Sequence, residues 1–126
     1  MKIKIDPLDK LFSKYIRLRD GKCMRCGNKN TILQCMHFHG RRKKTVRWDE
    51  DNACAGCYGC HSYLDSNPLE KISFFQNLLG KEKFMHLNIR ATSTHPKPDK
   101  AAIELYLKQK IQELDNLNLI VPEKER

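Results

Sequence analysis

The sequence predicts an α+β fold, a ββα unit cross-linked through two cysteine pairs with helices before and after it. Three observations predict this. Cys23-x-x-Cys26 and Cys57-x-x-Cys60 repeat one spacing with 30 residues between them. Inside that interval, the run from Ile32 to Phe38 carries turn residues on both flanks and reads as a short strand. Outside it, apolar residues recur at three- and four-residue steps, the signature of helices with one buried stripe.

The elements follow in order. Asp6-Pro7 is a helix start, an acid that can cap followed by a proline at the first helical position. Leu8, Leu11, Phe12, Tyr15 and Ile16 then form one stripe, Lys10, Lys14 and Arg17 lie mainly on the other side, and Gly21 ends the helix. The stripe reads as core, and its basic back as either solvated or laid along a phosphate backbone. Cys23 to Gly27 is a tight knuckle, Ile32 to Phe38 the first strand, and Gly40 to Lys44 a basic loop. Thr45 to Trp48 is either a strand end or part of that loop, Asp49 to Asp51 a turn, and Asn52 leads through Ala53 and Cys54 towards Cys57 as the second strand. A short helix from about Tyr58 to Asp65 completes the unit before Asn67-Pro68 breaks it.

Pro68 opens a further helix with Ile72, Phe75, Leu78 and Leu79 inward, stopped by Gly80. A second short helix carries Phe84, Leu87 and Ile89. Thr92 to Pro98 is a linker by composition, and Asp99 caps a last helix to about Asp115 with Ile103, Tyr106, Leu107, Ile111 and Leu114 on one stripe. The tail Glu123 to Arg126 is expected to fray. Residues 1–70 are thus expected to form the first helix and the core, and 71–126 a helical extension packed on the same domain.

Charge is uneven along the chain. The formal net charge is +9, yet residues 1–48 hold 14 Lys/Arg against three acids, and residues 49–126 hold 10 against 12. Cationic charge concentrated in the cysteine-bearing half suits a surface that meets a polyanion. No apolar leader follows Met1 and no apolar stretch is long enough to span a bilayer, so the expected setting is cytoplasmic, with no membrane.

In a reducing cytosol, close cysteine pairs hold a metal more often than they form disulfides. Two such pairs complete the tetrahedron of a closed four-thiolate zinc site, so Cys23, Cys26, Cys57 and Cys60 are the expected structural zinc ligands. Rubredoxin-like iron or a redox pair is the alternative. Zinc binding contributes on the order of 10 kcal/mol, against a net domain stability of roughly 5–15 kcal/mol, so the site should decide whether this region folds. Cys35 and Cys54 read as small buried hydrophobes on the strands. Four thiolates leave no position for water, and any chemistry must lie elsewhere.

The pairs bracket further chemistry-bearing residues. Leu33-Gln-Cys-Met-His37-Phe-His39-Gly-Arg, Asp51-Asn52-Ala and Cys57-Tyr-Gly-Cys60-His61 together resemble the HNH (His-Me finger, ββα-metal) endonucleases. In that pattern a histidine ends the first strand, an asparagine opens the second, and a histidine or asparagine follows the last cysteine. The cysteine frame is similar to that of phage endonuclease VII. Phe12 to Asp20 and Val46 to Asn52 resemble the phage NinG/Rap recombination nucleases. The resemblance covers about residues 8 to 70. It implies a host-cytoplasmic phage enzyme that cuts DNA, with a catalytic Mg²⁺ or Mn²⁺ besides the zinc.

The residues fit that chemistry. Phosphodiester hydrolysis needs a base for water, a cation on the scissile phosphate and groups that align the backbone. His37 suits the base. Asn52 would orient its imidazole or the local loop, as the resemblance implies, and His61 would ligate the catalytic metal. Asp65, four residues on, shares the helix face and can join it. His39, two residues from His37, is either an auxiliary catalytic or phosphate-contacting group or a structural one. Where many HNH enzymes carry an Asp or His before the base, this chain has Met36. Either Asp65 compensates or the metal has one protein ligand.

Arg41, Arg42, Lys43, Lys44 and Arg47 are the expected DNA contacts, mainly to phosphates because no recognition helix is apparent. The family likeness points to branched DNA, a Holliday junction or displacement loop. The last helix either pairs two chains into a homodimer across such a branch or packs on its own domain. Two other readings compete: a zinc-stabilised nucleic-acid-binding module without catalysis, and a restriction- or homing-type nicking enzyme.

Overall fold

The computed structural model describes residues 4–93 and 97–120, the side chains of 119 and 120 excepted. Part of the expected linker and the tail Glu123 to Arg126 lie outside the described residues. Among them are five helices and one two-stranded sheet: α1 (Pro7–Asp20), β1 (Gln34–His37), β2 (Ala53–Gly56), α2 (Tyr58–Ser66), α3 (Pro68–Leu79), α4 (Lys81–Ala91) and α5 (Lys100–Ile120). Single 3₁₀ turns at Lys44–Val46 and Glu50–Asn52 interrupt the loop between the strands. The segment left between a strand end and a loop is thus a turn. No helix among the described residues is long and apolar enough to cross a membrane.

Local signals set α1 as expected. Asp6 Oδ1 accepts from the Leu8 amide at 2.9 Å, and Gly21 at φ 68° closes the helix through its amide to the Arg17 carbonyl. The strands pair antiparallel, with Gln34 opposite Gly56, Cys35 opposite Ala55, Met36 opposite Cys54 and His37 opposite Ala53. The expected first strand is trimmed at both ends.

Alternation then sends the two faces of the hairpin to different layers. Cys35 and Ala53 face α1 and α5, in a core of Leu8, Phe12, Tyr15, Ile16, Leu107 and Ile111. Met36 and Cys54 face α2 and α3, packing with Leu64 and Phe75. A third cluster of Val46, Leu87 and Ala91 fastens the first 3₁₀ turn to α4. The extension is therefore wrapped round the core, and a division at residue 70 would fall inside α3.

Some inward assignments are corrected. Ile72 and Ile89 are exposed. In α3 and α4 the buried positions are Phe75, Leu87 and Ala91, with Phe74, Leu78, Leu79 and Phe84 partly buried beside them. The α5 stripe is occupied by α1 of the same chain, with Leu107 and Ile111 buried and Tyr106 left at its edge.

The outer edge of β2 does not stay open. The Ala55 amide donates to Asp20 Oδ2 at 2.8 Å, Arg19 donates to the carbonyls of Glu50 and Ala53, and the Met24 amide bonds the Ala55 carbonyl at 2.9 Å. These bonds dock the first knuckle alongside β2 and so carry Cys23 and Cys26 to the start of α2.

Candidate functional site

The sulfur atoms of Cys23, Cys26, Cys57 and Cys60 lie within 4.8 Å of one another, and Cys26 Sγ is 3.9 Å from Cys57 Sγ. A tetrahedron with Zn–S bonds of about 2.3 Å has sulfurs about 3.8 Å apart, so the cluster can hold a zinc ion. The donors around it suit thiolates: the Cys26 amide donates to Cys23 Sγ, the Cys60 amide to Cys57 Sγ and Arg25 to Cys60 Sγ, each at 3.4 Å. Burial opposes ionisation of Cys23, but amides of Cys26, Cys57 and Arg25 outweigh it and bring the thiol down to about 6. Burial and the neighbouring sulfurs push Cys60 up to about 12. Four thiols cannot all ionise in one cluster unless a cation joins them. Cys35 and Cys54 stand apart; burial first of all raises both thiols, that of Cys35 to about 12.

His37 ends β1 with its ring 5.7 Å from that of Phe12. Its Nε2 is buried and has no hydrogen-bond partner among the described residues. Burial, then the Arg41 guanidinium and, more weakly, His61 and Lys71, pull it down to about 4 from an ordinary 6.5, with Asp9 opposing. The imidazole is therefore neutral at pH 7, and its Nε2 is not engaged by any described residue.

Asn52 is fully buried and shapes the loop that follows His37. Its Oδ1 accepts from the His39 amide at 2.8 Å, its Nδ2 donates to the His39 carbonyl at 2.9 Å, and its carbonyl accepts from the Phe38 amide at 2.8 Å. Of the two expected roles, it orients the loop. His39 is not on a continued strand face with His37, because β1 stops at His37. It turns instead to α4, where Nε2 meets Asn88 Oδ1 at 2.7 Å.

His61 Nδ1 lies 2.8 Å from Gln34 Oε1 and its Nε2 lies 3.3 Å from Asp65 Oδ2. An Nδ1–H donated to Gln34 leaves the Nε2 lone pair facing the carboxylate, a juxtaposition that a proton or a cation between them relieves. The other carboxylate oxygen is 2.9 Å from Lys71 Nζ. Met36 cannot add a ligand here. It is buried against Leu64 and Phe75, with Sδ packed where Gly56 has no side chain.

The expected phosphate contacts divide. Arg41, Arg42, Lys43 and Lys44 are exposed. Arg47 is committed to Asp9, donating through Nε at 3.0 Å and through Nη2 to the second oxygen, while Trp48 Nε1 adds a bond at 2.8 Å. Burial opposes the Asp9 charge, but those donors hold its carboxyl below the usual range. Gln34, Lys71 and Asn88 are partners that the sequence did not reveal. Gln34 and Asn88 act across the fold, whereas Lys71 reaches Asp65 from the start of α3 six residues on; the place of Gln34 in the first strand was the signal available.

No family model, curated protein or solved structure matches the chain.

Proposed function

We propose that this protein is a metal-dependent endonuclease that hydrolyses DNA phosphodiesters. The carrying observation is His37 Nε2, buried and unpaired at the end of a strand whose following loop is fixed by Asn52. A polar atom left unsatisfied in this way costs about 1–3 kcal/mol, a cost that a water or substrate atom bonded to it would remove. In the reaction His37 Nε2 takes the proton of the attacking water as the new P–O bond forms and the old one breaks. His61 Nε2 and Asp65 Oδ2 would hold a divalent ion, Mg²⁺ or Mn²⁺, whose charge neutralises the phosphate in the transition state. Gln34 fixes the His61 ring, and the exposed cations Arg41, Arg42, Lys43 and Lys44 meet phosphates.

Branched recombination intermediates, such as Holliday junctions or displacement loops, are the favoured substrates. The segment Arg41 to Arg47 contains a 3₁₀ turn and no helix that could enter a major groove, which favours reading of DNA shape over sequence.

A plasmid-nicking assay tests the activity. The wild type should nick in magnesium and fail with a magnesium-selective chelator. His37→Ala should lose at least a hundredfold in rate while keeping zinc and DNA affinity, because a base contributes mainly in the transition state. His61→Ala should be partly rescued by more metal. A four-way junction should be cut faster than matched linear duplex. Equal rates or one fixed cleavage sequence would favour a restriction- or homing-type enzyme. The second reading, a binding module without catalysis, draws on Met36 being buried and on Lys71 occupying Asp65. Salt-dependent binding with no nicking in any divalent ion would favour it.

A further inference from the structure

The basic back of α1 carries the clearest unassigned feature of the molecule. Lys10, Lys14 and Arg17 are exposed on one side of the helix, opposite the buried stripe of Leu8, Phe12, Tyr15 and Ile16. Lys10 and Lys14 make no hydrogen bond or ion pair among the described residues, whereas Arg17 is held in place by Nε contacts of 3.2 Å to the Ser13 carbonyl and hydroxyl. Lys10, Ser13 and Arg17 line a shallow cleft together with Arg41, which comes from the loop after β1, and Asp9 at its base. Asp9 is held chiefly by Arg47 and lies 3.9 Å from Arg41 Nε, so this single carboxylate is shared and leaves the cleft net cationic.

We infer that this face of α1, with Arg41, is a track for the phosphate backbone of one DNA strand leading to His37. The inference rests on the nuclease reading and adds a binding surface to it. Three geometric facts support it. Asp9 and Arg41, which line the cleft, both lie close enough to His37 to act on its charge, so a strand in the cleft comes to the imidazole's side of the hairpin. Arg41 joins the end of the helix face to the loop that Asn52 shapes, bridging the cleft and the site. The seven steps from Lys10 to Arg17 rise about 10 Å along the axis at ~1.5 Å each, over which one strand presents about three charges at ~3.4 Å of axial rise each. The electrostatic influence of Arg17 and Arg41 on Cys35, and of Arg41 on His37, agrees with cations gathered over this side of β1. An anionic membrane fits the face less well, because the cleft is lined by short, polar or charged side chains, with Ile5 as its one large apolar residue.

The test is the salt dependence of binding to a short DNA duplex without magnesium, where no cleavage occurs. Each lost phosphate contact should reduce the slope of log K against log salt by about 0.9. Lys10→Gln/Lys14→Gln should therefore flatten the slope by about 1.8, while zinc content and thermal midpoint stay at wild-type values. Lys81→Gln/Lys83→Gln, the same charge change made at the start of α4, where Lys83 lies beside Glu50 and Asp51, should leave the slope unchanged. An unaltered slope in the α1 variant overturns the inference and leaves the nuclease reading standing. Equal flattening in both variants also overturns it, since charge alone would then explain the effect. Wild-type protein that binds phosphatidylserine vesicles but no DNA overturns both.

Discussion

His37→Gln isolates what burying an unpaired imidazole does to stability. In the fold the group titrates near 4, and in the unfolded chain near its ordinary 6.5. Between those values the unfolded state binds more protons, so stability is fully present above the unfolded pKa and falls as pH drops towards the folded one. The two titration curves give a loss of about 2 kcal/mol between pH 7 and pH 5, and about 3 kcal/mol once pH 4 is passed. The glutamine variant has no such titration. Urea unfolding without added magnesium, at pH 7 and pH 5 for both proteins, cancels acid effects on the cysteine cluster, which the two share. The wild-type midpoint should fall by about 1 M more than that of His37→Gln, taking an m-value near 2 kcal/mol/M. Parallel pH dependence in the two proteins would refute the depressed pKa, and with it the claim that the buried imidazole is neutral at neutral pH. A smaller loss in the wild type than in the variant would reverse its sign.

The cysteine cluster and the buried carboxylate make independent predictions. Folded protein should contain one zinc per chain by elemental analysis, and Cys57→Ser should lose both the metal and the hairpin signal in circular dichroism, because metal binding and folding of this unit are linked. Folded wild type with no zinc or iron would remove the basis for this. Asp9→Ala should destabilise the protein by about 3–5 kcal/mol in equilibrium denaturation, since it strands Arg47 and the Trp48 indole N–H in a half-buried position. A loss below about 1 kcal/mol would mean that the pair behaves like an exposed one.

Sequence alone settled what depends on neighbours along the chain. Asp6-Pro7 and Gly21 bound α1 because caps act within one turn, and the two cysteine pairs announced a shared site because a two-residue spacing converges thiols wherever the chain turns. The stripe of Leu8, Phe12, Tyr15 and Ile16 was legible for the same reason, a helical period that fixes one face. Tertiary structure decided whatever links distant segments. Ile72 and Ile89 kept the helical period yet face solvent, because the core clusters take up Phe74, Phe75, Leu78, Leu79, Phe84 and Leu87 on those helices and leave these two uncovered. Which cations are free was equally invisible: Arg47 looked like its neighbours until Asp9, 38 residues away, took it. His39 departed from strand alternation because β1 ends at His37 and Asn88, 49 residues on, receives its ring. Gln34 and His61 are 27 residues apart and meet only because Gln34 faces α2 from the hairpin, where alternation in the pairing register places it. A side chain's residue type fixes the chemistry it can perform, but burial and partners fix whether it is free to perform it, and those arise only when the chain closes on itself.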